Sequence, residues 1–136
     1  MANGGWYGTK EKWKRLEGPL VEIDPVIDEF AQKIGVPVTK NFKDLPGRSI
    51  EWGGEIRCLI QIYLANEKEL TWNIWICCSH DRDGSRYWKR EFLIENKPIE
   101  DFSDRLPDLF AEGRARLINW SRHPENLEFA TKLRSA

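Results

Sequence analysis

The stretch from Ile56 to Ile94 most constrains the fold, because its apolar residues alternate along three segments separated by turn-forming residues. Successive side chains of a strand point to opposite faces, so the pattern predicts three antiparallel strands with one apolar face. The residues predicted to build the core are Ile56, Cys58, Ile60, Ile62 and Leu64, then Trp72, Ile74, Ile76 and Cys78, then Trp88, Phe92 and Ile94.

The opposite parity of these strands carries aromatic and basic side chains, which a purely solvated face does not need. Its predicted contact residues are Arg57, Tyr63, Trp75, Tyr87 and Lys89. Protein interfaces favour Trp, Tyr and Arg at their energetic centres, so we predict a binding surface here. Three alternatives remain: a terminal segment covers this face, the face walls a small-ligand pocket, or its aromatic rings stack nucleobases.

An apolar residue recurs every three or four positions from Thr9 to Ile34, which predicts an amphipathic helix lying on the sheet. The same spacing would also fit a short coiled-coil seam between two chains. Pro19 and Pro25 interrupt the segment, so we expect two nearly coaxial helices or one kinked helix. Asp24 would then cap the second part, and Gly35 would follow the helix end.

A helical period returns after the strands, from Ile99 to Trp120, with Pro107 near the start of the main helix. Short strands are expected at residues 36–42 and 49–52, with a turn at residues 45–47. The order of helix, antiparallel strands and helix predicts an α+β fold. We expect one domain over residues 1–136, with about four to five strands packed against the N- and C-terminal helices in two layers.

The charge balance excludes a general attraction to polyanions. The chain has 21 Lys and Arg against 22 Asp and Glu, a formal net charge of -1, so we predict neither nucleic-acid nor membrane binding. No apolar run approaches the length of about 20 residues that a membrane helix needs. The N-terminal sequence lacks the pattern of a secretion signal. The three cysteines form a poor disulfide framework, which favours free thiols and a cytoplasmic location.

A second group of residues could carry chemistry. Cys77, Cys78 and His80 lie together near a strand end, and a thiolate beside an imidazole can act as a nucleophile. Trp52 and Trp88 could wall a pocket there. The simpler interpretation is that the cysteines fill the core, with Cys58 and Cys78 adjacent across two strands. The spacing of His, Cys, Asp and Glu, including Asp81 and Asp83, predicts no metal site, and no motif predicts a cofactor.

The leading hypothesis from the sequence is a cytoplasmic, non-enzymatic module that binds another protein or a second copy of itself. The five contact residues given above would form its surface. The alternative is a small-ligand-binding domain or a thiol-dependent enzyme with a pocket near Trp52, Cys77 and His80.

Overall fold

The computed structural model describes residues 10–42, 45–53, 56–80 and 87–122. The elements are α1 (Lys10–Ile34), β1 (Val38–Phe42), β2 (Leu45–Gly53), β3 (Ile56–Asn66), β4 (Thr71–His80), β5 (Tyr87–Lys97), two 3-10 turns (Ile99–Asp101 and Ser103–Arg105) and α2 (Leu106–Arg122). The five strands form one antiparallel sheet in the order β1-β2-β3-β4-β5. This arrangement confirms the predicted α+β fold.

Both helices pack on the same face of the sheet, and a single apolar core lies between the two layers. The residues of this core include Leu16, Leu20, Ile23 and Ile27 of α1, Ile50, Ile60, Ile62, Ile74 and Ile76 of the sheet, and Leu106, Phe110, Leu117 and Trp120 of α2. The apolar stripe of α1 therefore packs on the sheet of its own chain, as predicted. Burial of such side chains contributes about 1.5–3 kcal/mol each.

The helix α1 runs through both prolines without a break, so of the two expected arrangements the pair of helices is wrong and the single helix is found. A proline removes one backbone hydrogen bond to the carbonyl four residues earlier. Those carbonyls belong to Arg15 and Val21, which are exposed, so water can bind them. Asp24 is consequently an interior helical residue and not a cap.

Gly35 ends α1 as predicted. Its φ of +74° is a left-handed conformation that glycine adopts without a steric penalty. The N–H of Gly35 donates to the carbonyl of Gln32, and the N–H of Val36 donates to that of Ala31, both at 3.1 Å. These two bonds form a Schellman motif, which turns the chain sharply towards β1.

Two strand predictions need correction. Residues 45–47 lie in β2, where Leu45 pairs with β1 and Gly47 pairs with β3, so they do not form the expected turn. In β5, Trp75 pairs with Phe92 while Ile74 pairs with Ile94, so Leu93 is an extra residue. Such a bulge reverses the side-chain parity on one side of it. Phe92 therefore points away from the core, where the regular alternation had placed it inside.

The helix α2 approaches the sheet closely at Gly113. A Cβ atom at this position would lie 3.1 Å from side-chain atoms of both Ile76 and Leu93. The absence of a side chain therefore lets the α2 backbone lie directly over β4 and β5. The bulge contributes to this contact, because it turns Leu93 towards the helix.

Arg48 of β2 is the largest charged residue in the interior, with only 2% of its surface exposed. Its guanidinium donates to both carboxylate oxygens of Asp24, at 2.7 and 3.0 Å, to Glu17 at 3.2 Å and to Asn41 at 3.0 Å. Burial alone would lower the pKa of Arg48, but its hydrogen bond to Asp24 and the two carboxylate charges raise it. The bidentate pair fixes α1 over β2 at a defined rotation.

We predict that Arg48→Met destabilises the fold by about 3 kcal/mol, because it removes the buried cation from Glu17 and Asp24 and leaves only the half-exposed Lys40, 3.7 Å from Asp24. Chemical denaturation followed by circular dichroism measures this change. Arg116→Met is the matched control, since the pairs of Arg116 with Glu91 and Glu112 are exposed and contribute about 0–1 kcal/mol. Equal losses in the two variants would contradict a structural role for the Arg48 pair.

Candidate functional site

The face of the sheet opposite α1 and α2 is the strongest candidate site, and we call it the open face. The strand pairing arranges its side chains in rows that cross the sheet. The first row contains Glu51, Leu59, Cys77 and Arg90, and the second contains Ser49, Gln61, Trp75 and Phe92. Arg57, Tyr63, Asn73 and Ser79 lie on either side of these rows. Neither described helix covers this face.

Three aromatic rings form the centre of the open face. Trp75 lies between Tyr63 and Phe92, with ring centroids 6.3 Å away at 77° and 6.5 Å away at 32°. The Trp75 Nε1–H donates to Gln61 Oε1, which fixes the indole ring. Phe92 is 44% exposed. Only one other large apolar side chain among the described residues is exposed to this extent. Phe92 is therefore the ring of the cluster that presents most apolar surface to water, while Tyr63 and Trp75 are half-buried.

Charged groups lie at the two ends of the first row. Glu51 forms an exposed ion pair with Arg57 on the β2 side. On the β5 side, the guanidinium carbon of Arg90 lies 5.8 Å from the Trp75 ring centroid, a cation–π contact. No ion pair joins Arg90 to a carboxylate among the described residues. The open face thus has an apolar centre. The Glu51 carboxylate and the Arg57 guanidinium lie on its β2 side, and the Arg90 guanidinium lies on its β5 side.

The structure brings together three of the five predicted contact residues. Arg57, Tyr63 and Trp75 share the open face. Lys89 does not, because it pairs with the core residue Cys78 and its Nζ lies 5.1 Å from the ring centroid of Trp120 on α2. The predicted placement of Lys89 on this face was wrong, because the bulge reverses parity. The backbone of Tyr87 pairs with β4, but its side chain lies outside the described part.

Arg90 and Phe92 are the functional candidates that the sequence reasoning missed. The run of three consecutive apolar residues, Phe92-Leu93-Ile94, carries the signal that could have found them. Two neighbouring residues of a strand cannot both face the core unless the pairing contains an extra residue. A break of this kind in the alternation therefore indicates a bulge.

The thiols have the properties of packing residues. Cys58 and Cys78 face each other in the core as predicted, with their Sγ atoms 3.9 Å apart and each within 3.8 Å of the Leu117 carbonyl oxygen. Cys77 lies on the open face but is 1% exposed. Desolvation raises its pKa to about 12. A thiolate nucleophile needs the opposite shift. The hydrogen bond with Cys78 does lower the pKa of Cys58, but Cys58 is 2% exposed and no reactant reaches it in the core.

Two of the residues proposed for a reactive pocket, Trp52 and Cys77, lie on opposite faces of the sheet. Trp52 pairs with Cys58 and packs against the core, on the face opposite Cys77. The side chains of His80 and Trp88, together with Asp81 and Asp83, lie outside the described residues. No cluster of three or more His, Cys, Asp and Glu side chains with metal-binding geometry occurs in the described ranges.

A second concave feature lies between the two helices. This cleft has a volume of about 410 Å³. Its apolar walls are Val26, Phe30, Ile34, Pro107 and Ala111, and its charged groups are Glu29, Lys33 and Arg114. The volume lies in the range of about 300–1,000 Å³ that is typical of ligand pockets.

Comparison of the chain with models of protein families, with curated proteins and with solved structures found no match. Within the described residues, neither α1 nor α2 is long and apolar enough to cross a membrane. The function of the candidate site is therefore inferred from its own residues and their geometry.

We predict that all three thiols react slowly with Ellman's reagent at pH 7, because each is buried and desolvation raises the pKa of Cys77 to about 12. The rate should be at least about a hundredfold below that of the denatured chain. Ala65→Cys, at an exposed position of β3, gives a positive control for a freely reacting thiol. One equivalent of rapid reaction in the parent would contradict this prediction.

Proposed function

We propose that this protein is a self-associating, protein-binding module that uses the open face of its sheet. The observation that carries the proposal is the cluster of Tyr63, Trp75 and Phe92 on the face that neither described helix covers. Apolar patches of this kind on a soluble surface favour association, and the flanking Arg57 and Arg90 have the chemistry of an interface.

The sheet edges are poor alternatives for association. Strand β5 is an edge strand, and its residues Lys89, Arg90, Glu91, Glu95 and Lys97 are charged and exposed. Charges and bulges on an edge strand oppose the addition of another strand. The other edge strand, β1, has five residues and an irregular pairing at its end. These features favour packing through the face.

We predict that Phe92→Ser weakens self-association at least about tenfold, because it removes the most exposed aromatic anchor of the face. Sedimentation equilibrium over a dilution series measures the dissociation constant. Phe92 is preferable to Trp75 for this test, since Trp75 is partly buried and hydrogen-bonded and its loss could disturb the fold.

Val21→Ser is the matched control for this experiment. Val21 is the other exposed large apolar residue of the described part, at 56%, and it lies on α1 away from the open face. It should leave association unchanged. A parent that stays monomeric at all concentrations, or a Phe92→Ser variant that associates as tightly as the parent, would contradict the proposal.

A second candidate function is the binding of a small amphiphilic carboxylate in the cleft between α1 and α2. The walls of the cleft are apolar, while Lys33 and Arg114 supply two cations against the single carboxylate of Glu29. The Lys33–Glu29 pair is exposed on both sides, so it contributes little and leaves Lys33 available to a ligand.

We predict that dodecanoate binds in this cleft and that Arg114→Glu weakens its binding about tenfold by reversing one charge. Ala111→Trp should abolish binding because the indole ring would fill the cleft, while Ala115→Trp on the exposed side of α2 is the control. Isothermal titration calorimetry gives the affinities. Equal binding of dodecyltrimethylammonium would contradict a carboxylate site.

A further inference from the structure

We propose that the occupant of the open face is a second copy of this chain, packed face to face about a two-fold axis that runs along the strands between β3 and β4. This inference rests on the proposed function, because it requires association through the open face. It adds the arrangement of the two copies and the residues that meet across the interface.

The distribution of charge along the first row carries the inference. Glu51 lies on β2 at one end of this row, Arg90 lies on β5 at the other, and Leu59 and Cys77 lie between them. The two ends are three strand spacings apart, about 14 Å. The centre of the row falls between β3 and β4, where the proposed axis runs.

A two-fold rotation about that axis exchanges the two ends of the row. Glu51 of one copy then lies opposite Arg90 of the second copy, and the same contact forms again on the other side. Leu59 lies opposite Cys77, which is only 1% exposed, so the half-buried Leu59 supplies the apolar contact in the middle of the interface. A carboxylate at both ends, or a guanidinium at both ends, would have given repulsion in this arrangement.

The second row is complementary in shape under the same rotation. Its members are Ser49, Gln61, Trp75 and Phe92 from β2 to β5. The rotation places the exposed Phe92 ring opposite Ser49 of the second copy, a small side chain that is only 9% exposed, and Gln61 opposite Trp75. A large side chain facing a small one is the pattern that lets two surfaces interdigitate.

The two charged groups are available for these contacts. The Glu51 side chain is 44% exposed although it pairs with Arg57, and a carboxylate can accept from a second guanidinium. Arg90 is exposed and no described carboxylate pairs with it. Facing sheets pack about 10 Å apart, a gap that a glutamate and an arginine bridge together at the rim of the interface.

Charge reversal at the two ends of the row tests the arrangement. Glu51→Arg alone and Arg90→Glu alone should each weaken self-association at least about tenfold in low salt, because both symmetric contacts become repulsive. An equimolar mixture of the two variants should regain the parent affinity, since every contact in the mixed dimer again joins opposite charges. The double variant should also regain it. High salt should reduce all these differences.

Sedimentation equilibrium measures the single variants and the mixture, and differential labelling of the two variants identifies the mixed species. The matched controls are Glu22→Arg and Arg15→Glu, which make the same charge changes at exposed positions of α1. These controls should leave the dissociation constant unchanged. Circular dichroism checks that every variant keeps its fold.

The possible outcomes separate this inference from the proposed function. Recovery of affinity in the mixture supports the two-fold arrangement, because no effect on the fold of single chains would reproduce it. Weakening by Phe92→Ser without any effect of the charge reversals would overturn the arrangement and keep the function. Weakening by the single variants without recovery in the mixture would also overturn the arrangement. A monomeric parent would overturn both.

Discussion

The ladder between β3 and β4 is the constraint on which the rest of the structure depends. Nine consecutive residue pairs, from Ile56 with His80 to Leu64 with Trp72, follow each other without a shift. A slip of one residue would exchange the two faces of a strand. It would bring Trp75 into the core and expose Ile74 and Ile76. The register of this strand pair therefore determines both which residues form the core and which residues form the open face.

The two helices pack on this sheet through different kinds of interaction. The helix α2 lies close to the strands through Gly113 and buries apolar side chains, and the Leu117 carbonyl meets the thiols of Cys58 and Cys78. The helix α1 also buries an apolar stripe, but Arg48 binds Asp24 beneath it. Apolar contact tolerates some rotation of a helix, whereas a bidentate ion pair does not, so Arg48 supplies directional specificity at a cost in desolvation.

The sequence predicted the fold wherever its periodicity was regular. The alternation in β3 and β4 gave the core face, and the spacing of apolar residues gave both helices. Predictions failed where a single residue changes the geometry. Leu93 is an extra residue in β5. Lys89 and Phe92 therefore each point to the face of the sheet opposite to the one expected. The sequence pattern also did not predict the burial of Arg48, because its partners Glu17 and Asp24 lie 31 and 24 residues away in the chain.

The order of the strands has a consequence for how the molecule assembles. Every strand lies beside its neighbour in sequence, so the sheet can form hairpin by hairpin with short loops to close. The C-terminal helix differs, since Leu117 contacts Cys58 across 59 positions of sequence. Until that helix has been synthesised and docks, the part of β3 and β4 that α2 covers stays exposed. The last described element of the chain is thus the one that closes the core.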